Sequence, residues 1–429
     1  MTDSATTARR VVVTSVGAIT NVGRDAATTW DSLVRGKSGV TTIDSDAFRA
    51  FPDEQWSVKI AGAIQDSSIP ERLSPREGKR LDRFAILGIS AGIEAVENSG
   101  IDFSKEDPTR CGVIIGSGVG GIQTIEAGMM VLMQKGPDRL NPFTVPRLMA
   151  NAVAGDLSIR YGLQGPSDSH TTACASSGHS IGDAFNIIRR GEADVILAGG
   201  SEAAISPLCV GAFMTMRALS TRNDDPATAS RPFDRGRDGF VLAEGAAVLV
   251  LESEEHAKAR GADILAELLG YGATSDASHI TAPHPEGSGA ARAMQVALAD
   301  ARLNPEQVDY INAHGTSTPL GDAAEVAAVK SVFGKRALKS KGGGLLMSST
   351  KSMIGHCLGA SGAVESIACL GAIRHGVVTP TINCEHPDPE FDLDFVAHTA
   401  RDARVRVCLN NTFGFGGHNV SLVLGAYEG

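Results

Sequence analysis

Residues 169–180 read Ser-His-Thr-Thr-Ala-Cys-Ala-Ser-Ser-Gly-His-Ser, and the rest of the chain can be read outward from the single cysteine at their centre, Cys174. A run of small and β-branched residues leads in. Ser176 to Arg190 then reads as a helix closed by Gly191. A cysteine at such a strand-to-helix junction has peptide N–H groups and the positive end of a helix dipole beside its sulfur, and both favour thiolate over thiol. A buried free cysteine is commonly inert. Its partners elsewhere in the chain therefore decide what Cys174 does.

Outward from this junction the chain alternates β and α signals. Arg10–Val16 is a buried-strand run ending in a Gly-rich turn, and 78–99 has helical apolar spacing that stops before Gly100. Cys111–Gly116, Asp194–Gly199 and Gly245–Glu252 read as further strands. The polar stretch 253–263 marks the junction between two halves, 1–258 and 259–429. In the second half, helix Gly289–Ala301 precedes strand Val308–Ala313, and helix Asp322–Phe333 precedes strand Leu345–Ser349. A small-residue helix, Leu358–Arg374, follows, and 404–411 with 419–425 form a closing hairpin. Gly178-His179 and Gly355-His356 share Gly-His-x-x-Gly, each opening an Ala/Gly-rich helix, which suits a duplicated α/β architecture.

Composition narrows the function classes. The 429 residues can bury a large core, and 42% hydrophobic with 21% charged content is that of an ordinary soluble protein. A net charge of −10 argues against a protein that coats nucleic acid. Seven widely spaced cysteines without a Cys-x-x-Cys pair argue against a disulfide framework or a zinc knuckle, and no metal or cofactor is implied. The first ten residues lack the apolar core of a secretory signal, and no apolar run is long enough to span a bilayer. The reading is a reduced, intracellular, cytoplasmic protein. The glycines at 116–121 do not give a dinucleotide loop, because no acidic residue follows at the right distance after a clean βαβ unit.

Three more stretches carry chemistry. Asn312-Ala-His314-Gly-Thr-Ser-Thr-Pro319 puts a histidine at a strand end, where α/β folds present reactive groups. Ser348-Ser-Thr-Lys351-Ser-Met-Ile-Gly-His356 is again a strand followed by a helix start. Asn410-Asn-Thr-Phe413-Gly-Phe415-Gly-Gly-His418-Asn419 is a Gly-rich hairpin tip with two phenylalanines. One cysteine with distant histidines is the layout of a thiol nucleophile and its partners.

Thr172–Ser177, Ala313–Thr318, Lys351–His356 and Gly414–Gly417, in that order, resemble the signatures of the elongating β-ketoacyl-acyl-carrier-protein synthases, most nearly synthase II. The resemblance extends over nearly the whole chain, including Ser220–Asn223, Ser230–Asp234 and Arg237–Phe240. It implies a thiolase-like fold of two pseudo-duplicated halves in five layers, αβαβα, and a homodimer. It also implies a decarboxylative condensation in which Cys174 carries the acyl group, with His314 and His356 completing the triad. Charge builds on the malonyl thioester oxygen as CO2 leaves, and two neutral imidazole N–H donors suit that oxygen. The other oxyanion is expected between the backbone N–H groups of Cys174 and Phe415, with Lys351 an electrostatic support and Glu365 its partner.

By the same resemblance, Val119 lines the acyl pocket, Phe413 and Phe415 form a gate, and Thr281, Thr316 and Thr318 contact the pantetheine arm. An acidic acyl carrier protein would dock on Arg76, Lys79, Arg80, Arg139 and Arg217. The chain departs from relatives at Ala282 and Asp138, where a hydroxyl and a basic residue are common. It departs again at His418, where many have threonine, and at Ile354 and Cys357 beside His356. A ketosynthase subunit of a polyketide or specialised lipid pathway is the enzyme alternative. A non-catalytic dimer partner is the alternative from another class, and the intact Cys-His-His set speaks against it.

Overall fold

Val-Val-Val-Thr-Ser-Val at 11–16 is a β-branched run that must be covered on both faces, and it becomes a central strand of the fold. The computed structural model describes residues 8–69 and 71–429; most of the segment read as lacking a signal, residues 1–7, lies outside the described residues. The main strands are β1 (Val11–Thr20), β2 (Cys111–Gly116), β3 (Ser167–Asp168), β4 (Val195–Glu202) and β5 (Gly245–Ser253), then β6 (Ala266–Ser275), β7 (Tyr310–Asn312), β8 (Leu346–Ser348), β9 (Val407–Gly414) and β10 (His418–Gly425). The main helices are α1 (Arg83–Ser99), α2 (Ile122–Lys135), α3 (Ser176–Arg189), α4 (Pro207–Thr215), α5 (Ser288–Asp300), α6 (Pro319–Phe333) and α7 (Ser361–His375).

The strands lie side by side in the order β8-β7-β9-β10-β6-β1-β5-β4-β2-β3. Reading outward from the centre, each half repeats one pattern. β1-β5-β4-β2-β3 runs antiparallel, antiparallel, parallel, parallel, and β6-β10-β9-β7-β8 does the same. The strand at each position in the first half is therefore matched by the strand five places later in the second. In the ten-stranded sheet the halves meet edge to edge through Val11–Leu268, Val12–Glu267 and Val13–Ala266. This is the pseudo-duplicated α/β architecture expected from the sequence.

Both faces of each sheet are covered, and alternate strand residues serve different layers. Val113 and Ile115 pack outward with Phe84 and Leu87 of α1, while Ile114 packs inward with Ile181 and Ile188 of α3. Val364 and Ile367 of α7 share that inner layer, and Met294 of α5 and Val329 of α6 cover the outer face of the second sheet. The five layers αβαβα follow. Each fully buried aliphatic side chain contributes about 1.5–3 kcal/mol relative to exposure.

Several boundaries differ from the expectations, each for a local reason. The first strand does not turn at Gly17 but continues to Thr20; a Cβ there would sit 2.2 Å from the Ala91 carbonyl oxygen, so glycine permits α1 to cross closely. The segment 78–99 is not one helix. Asp82 caps α1 through the Phe84 N–H and also takes the Thr124 N–H and hydroxyl, which breaks it from the short helix Pro75–Gly78. Leu358–Ala360 is a separate one-turn 3-10 helix before α7. The Gly-His-x-x-Gly match does not reflect the duplication: Gly178 lies inside α3, whereas Gly355 lies ahead of α7.

Candidate active site

The reactive thiol is set by backbone geometry. Ala173 takes the unusual φ of 51°, a one-turn 3-10 helix Ala173–Ala175 follows, and α3 begins directly after it. Ser176 Oγ accepts from the Thr172 N–H at 2.9 Å and donates to the Ala173 carbonyl at 2.6 Å, which fixes the turn. Cys174 is 6% exposed and packs in an apolar cluster with Ile122, Phe240 and Leu358. The loop after β9 runs against it, for a Cβ on Gly414 would lie 3.1 Å from the Cys174 nitrogen.

The three sequence-predicted partners converge. His356 Nε2 lies 3.0 Å from Cys174 Sγ, and its Nδ1 lies 2.9 Å from Ser361 Oγ. The His314 and His356 rings meet edge to face with centroids 5.3 Å apart. Phe240 packs edge-on against His356, and Phe413 against His314. Lys351 stands behind them, 2% exposed and ion-paired with Glu365, as the resemblance implied.

Burial controls the protonation states. The helix start favours a thiolate, but burial works against it: desolvation pushes the Cys174 pKa up to about 12, against the lowering pull of Lys351 and of N–H groups from Phe415 and Cys174 itself. The dipole of a helix terminus is smaller than the cost of taking a charge out of water. Both histidines are held well below the usual imidazole range, by burial first and by Lys351 second, so both rings are neutral. A neutral His356 can accept the thiol proton at Nε2. The Ser361 hydroxyl can donate or accept at Nδ1, so the same ring can also present N–H at Nε2. The site is thus a neutral thiol–imidazole pair beside a second neutral imidazole, with the N–H groups of Phe415 and Cys174 directed at the sulfur.

These groups open into a cavity of about 580 Å³. Val119, Phe413, Phe415, Thr281, Thr316, Thr318 and Arg217 all line it, as does Ala282. Thr316 and Thr318 share a hydroxyl hydrogen bond of 3.0 Å. Of the five residues expected to form the carrier dock, only Arg217 reaches the cavity. Arg76, Lys79, Arg80 and Arg139 are exposed elsewhere, with Arg80 over the Phe143 ring, and Asp138 adjoins Arg139. His418 is not part of the cavity wall; its ring lies over Gly416 and edge-on to His179. Ile354 and Cys357 are buried structural neighbours, the former accepting from Asn21 Nδ2 at 2.9 Å.

Sequence reasoning missed the carboxylates that hold the loops. Glu325 takes the N–H groups of His314 at 2.9 Å and Gly315 at 2.7 Å, and burial raises its pKa to about 7. Asp322, raised to about 6 by burial, takes the N–H groups of Ser317 and Phe233. Both project from α6, three residues apart, and that i, i+3 spacing was the available signal. Glu202 at the end of β4 had no such signal beyond being an acid in an apolar strand.

Two family descriptions match the chain: β-ketoacyl synthase, N-terminal domain, over residues 8–257, and β-ketoacyl synthase, C-terminal domain, over 265–385. The chain is 47% identical over 420 residues to the 3-oxoacyl-[acyl-carrier-protein] synthase 2 of Staphylococcus aureus (strain COL), covering 98% of this chain and 99% of that protein. It is 47% identical over 415 residues to the protein of the same name from Vibrio harveyi, covering 97% and 98%. Among solved structures, a type II polyketide ketosynthase bound to the hexaketide, in complex with its acyl carrier protein, matches with a TM-score of 0.88 at 34% identity, covering 98% of this chain and 100% of that one. A β-ketoacyl synthase from Burkholderia phymatum matches with the same TM-score, identity and coverage. With both halves matched and near-complete coverage by relatives of this similarity, the chain belongs to the β-ketoacyl synthase family.

Proposed function

We propose that the protein elongates fatty acyl chains by two carbons through decarboxylative condensation with malonyl-acyl carrier protein. The observation that carries this reading is Cys174 Sγ at 3.0 Å from a neutral His356, with His314 beside it at the end of a cavity of about 580 Å³. In the first step, His356 takes the thiol proton as sulfur attacks the acyl-carrier thioester. The tetrahedral oxyanion lies between the N–H groups of Cys174 and Phe415, and the carrier thiol leaves with the proton. In the second, malonyl-carrier enters and loses CO2. The electron pair passes to its thioester oxygen, held by N–H groups of His314 and His356. The enolate carbon then attacks the acyl-cysteine, forming the new carbon–carbon bond and breaking the thioester; the 3-oxoacyl-carrier leaves, and the Cys174 thiolate takes up a proton from solvent to restore the thiol.

In this reading Lys351, paired with Glu365, keeps the histidines neutral by its nearby charge. Val119, Phe413 and Phe415 bound the acyl chain, and Thr281, Thr316 and Thr318 meet the pantetheine arm. Arg76, Lys79, Arg80, Arg139 and Arg217 attract an acidic carrier. We divide the chain at 258/259, near the end of the short helix Glu254–Ala259. A homodimer is supported by the open sheet edge at β3 and by apolar side chains on α2, where Met129 is 55% and Met133 78% exposed. Among the described residues no helix is long and apolar enough to cross a membrane, and all seven cysteines are free and buried, which supports a cytoplasmic enzyme.

The polyketide alternative rests on the likeness to the type II ketosynthase, which at 34% identity is weaker than the 47% to the synthase 2 proteins. Incubation of the protein with acyl- and malonyl-carrier separates the readings. Fatty acid elongation gives acyl-Cys174 by mass, CO2 release and a product one two-carbon unit longer; the polyketide reading gives chains extended repeatedly with their keto groups retained. Neither acylation nor CO2 release would overturn both.

A further inference from the structure

Glu202 is fully buried, yet no cation lies within ion-pair distance of it among the described residues. Instead its carboxylate collects five donors. Oε2 takes the N–H groups of Gly118 at 2.7 Å and Gly359 at 3.1 Å. Oε1 takes the Ser117 hydroxyl at 2.9 Å and the N–H groups of Val119 at 3.2 Å and Gly120 at 3.4 Å. Ser117 Oγ itself accepts from Gly120 at 3.0 Å, so its proton points to Glu202. Every neighbour is a donor, which suits the lone pairs of a carboxylate and opposes the burial that pushes its pKa up, whereas an amide would set N–H against N–H.

The donors come from two places that the chain order keeps far apart. Ser117–Gly120 follows β2 in the first half, and Gly359 lies in the 3-10 turn before α7 in the second. They touch closely: a Cβ on Gly359 would stand 2.2 Å from the Gly118 nitrogen, and a Cβ on Gly118 would stand 2.8 Å from Glu202 Oε2. Val119 on one turn and Leu358 on the other both line the cavity, and Leu358 holds the unusual φ of 43°. Cys174 lines the same cavity.

We propose that Glu202 is a positioning residue for acyl-chain selection, locking the Val119 turn to the Leu358 turn so that these two side chains set how much of a long acyl chain the cavity accepts. The inference rests on the proposed condensing function and concerns its acyl site, not its malonyl site. Loosening the lock moves the wall by fractions of an ångström, which a long chain meets and a short one does not.

The test measures kcat/KM of Glu202→Gln with butanoyl- and hexadecanoyl-carrier protein, alongside CO2 release from malonyl-carrier. The expected result is a change of about tenfold in the ratio of the two acyl substrates. CO2 release should stay within about twofold of the parent, because the histidines are untouched. An equal change for both acyl substrates, no change, or a parallel fall in CO2 release overturns the inference. Should Glu202→Gln fail to fold, Ser117→Ala removes one donor while keeping the carboxylate. It should move the same ratio by about threefold, and an unmoved ratio overturns the inference. If the parent itself neither condenses nor releases CO2, the functional reading has failed rather than the role of Glu202.

Discussion

The two halves use one backbone device for different ends. In the first, a positive-φ Ala173 opens a 3-10 turn that leads into α3 and places Cys174 at its centre. In the second, a positive-φ Leu358 opens the matching turn into α7, and the position of the nucleophile is taken by Gly359. The ends of matching strands diverge in the same way. β2 runs into Ser117 and three glycines around Val119, while β7 runs through Ala313 to His314. The first half supplies the nucleophile, the second supplies His314, Lys351 and His356, and both line the cavity. The repeated scaffold thus serves one site: the second turn has the shape of the first but a glycine where the first has its cysteine.

Each prediction tests that division. Cys174→Ala should lower condensation by about ten-thousand-fold while CO2 release from malonyl-carrier persists; loss of both would mean that the halves do not divide the work. His314→Ala should lower CO2 release by about a hundred- to a thousandfold while acyl-Cys174 still forms, which mass spectrometry of the intact protein would detect. Lys351→Met leaves Glu365 buried without its partner, at a cost of about 3 kcal/mol in urea unfolding. Burial already raises Glu365 to about 7, so the loss should be larger at pH 8 than at pH 6, where the carboxyl takes up a proton.

The smallest effect concerns the junction between the halves. His256 bridges Glu252 at 2.6 Å and Glu106 at 2.9 Å, and hydrogen bonding to Glu252 is the main cause raising its pKa to about 9. A raised imidazole pKa stabilises the fold fully below about 6.5 and loses that contribution as pH rises through about 9. The partly solvated setting screens this to about 1 kcal/mol. His256→Gln should flatten the fall in stability between pH 7 and 10 measured by urea titration.

Much of this could be read from sequence because short stretches carry local rules. The Cys174 junction, the strand end at His314 and the glycine-rich hairpin around Phe415 each have a spacing that fixes their local shape. What escaped was long-range. Nothing near Glu202 announces that it will meet Gly359, 157 residues away. The burial that opposes a thiolate at Cys174 escaped for the same reason. The helix start is local, but the desolvation that overrides it comes from Ile122, Phe240 and Leu358, which only the fold assembles.

The Phe415 loop has a consequence for timing. Its backbone N–H is directed at the nucleophile, while its ring sits in the cavity wall against Phe213. Gly414, Gly416 and Gly417 surround it, so one peptide carries both a ring in the cavity wall and an N–H toward Cys174. If the backbone of this loop moves to admit an acyl chain, as the proposed gate requires, that N–H moves with it. On that reading, seating of the chain precedes acyl transfer, and the order is kept without a second site.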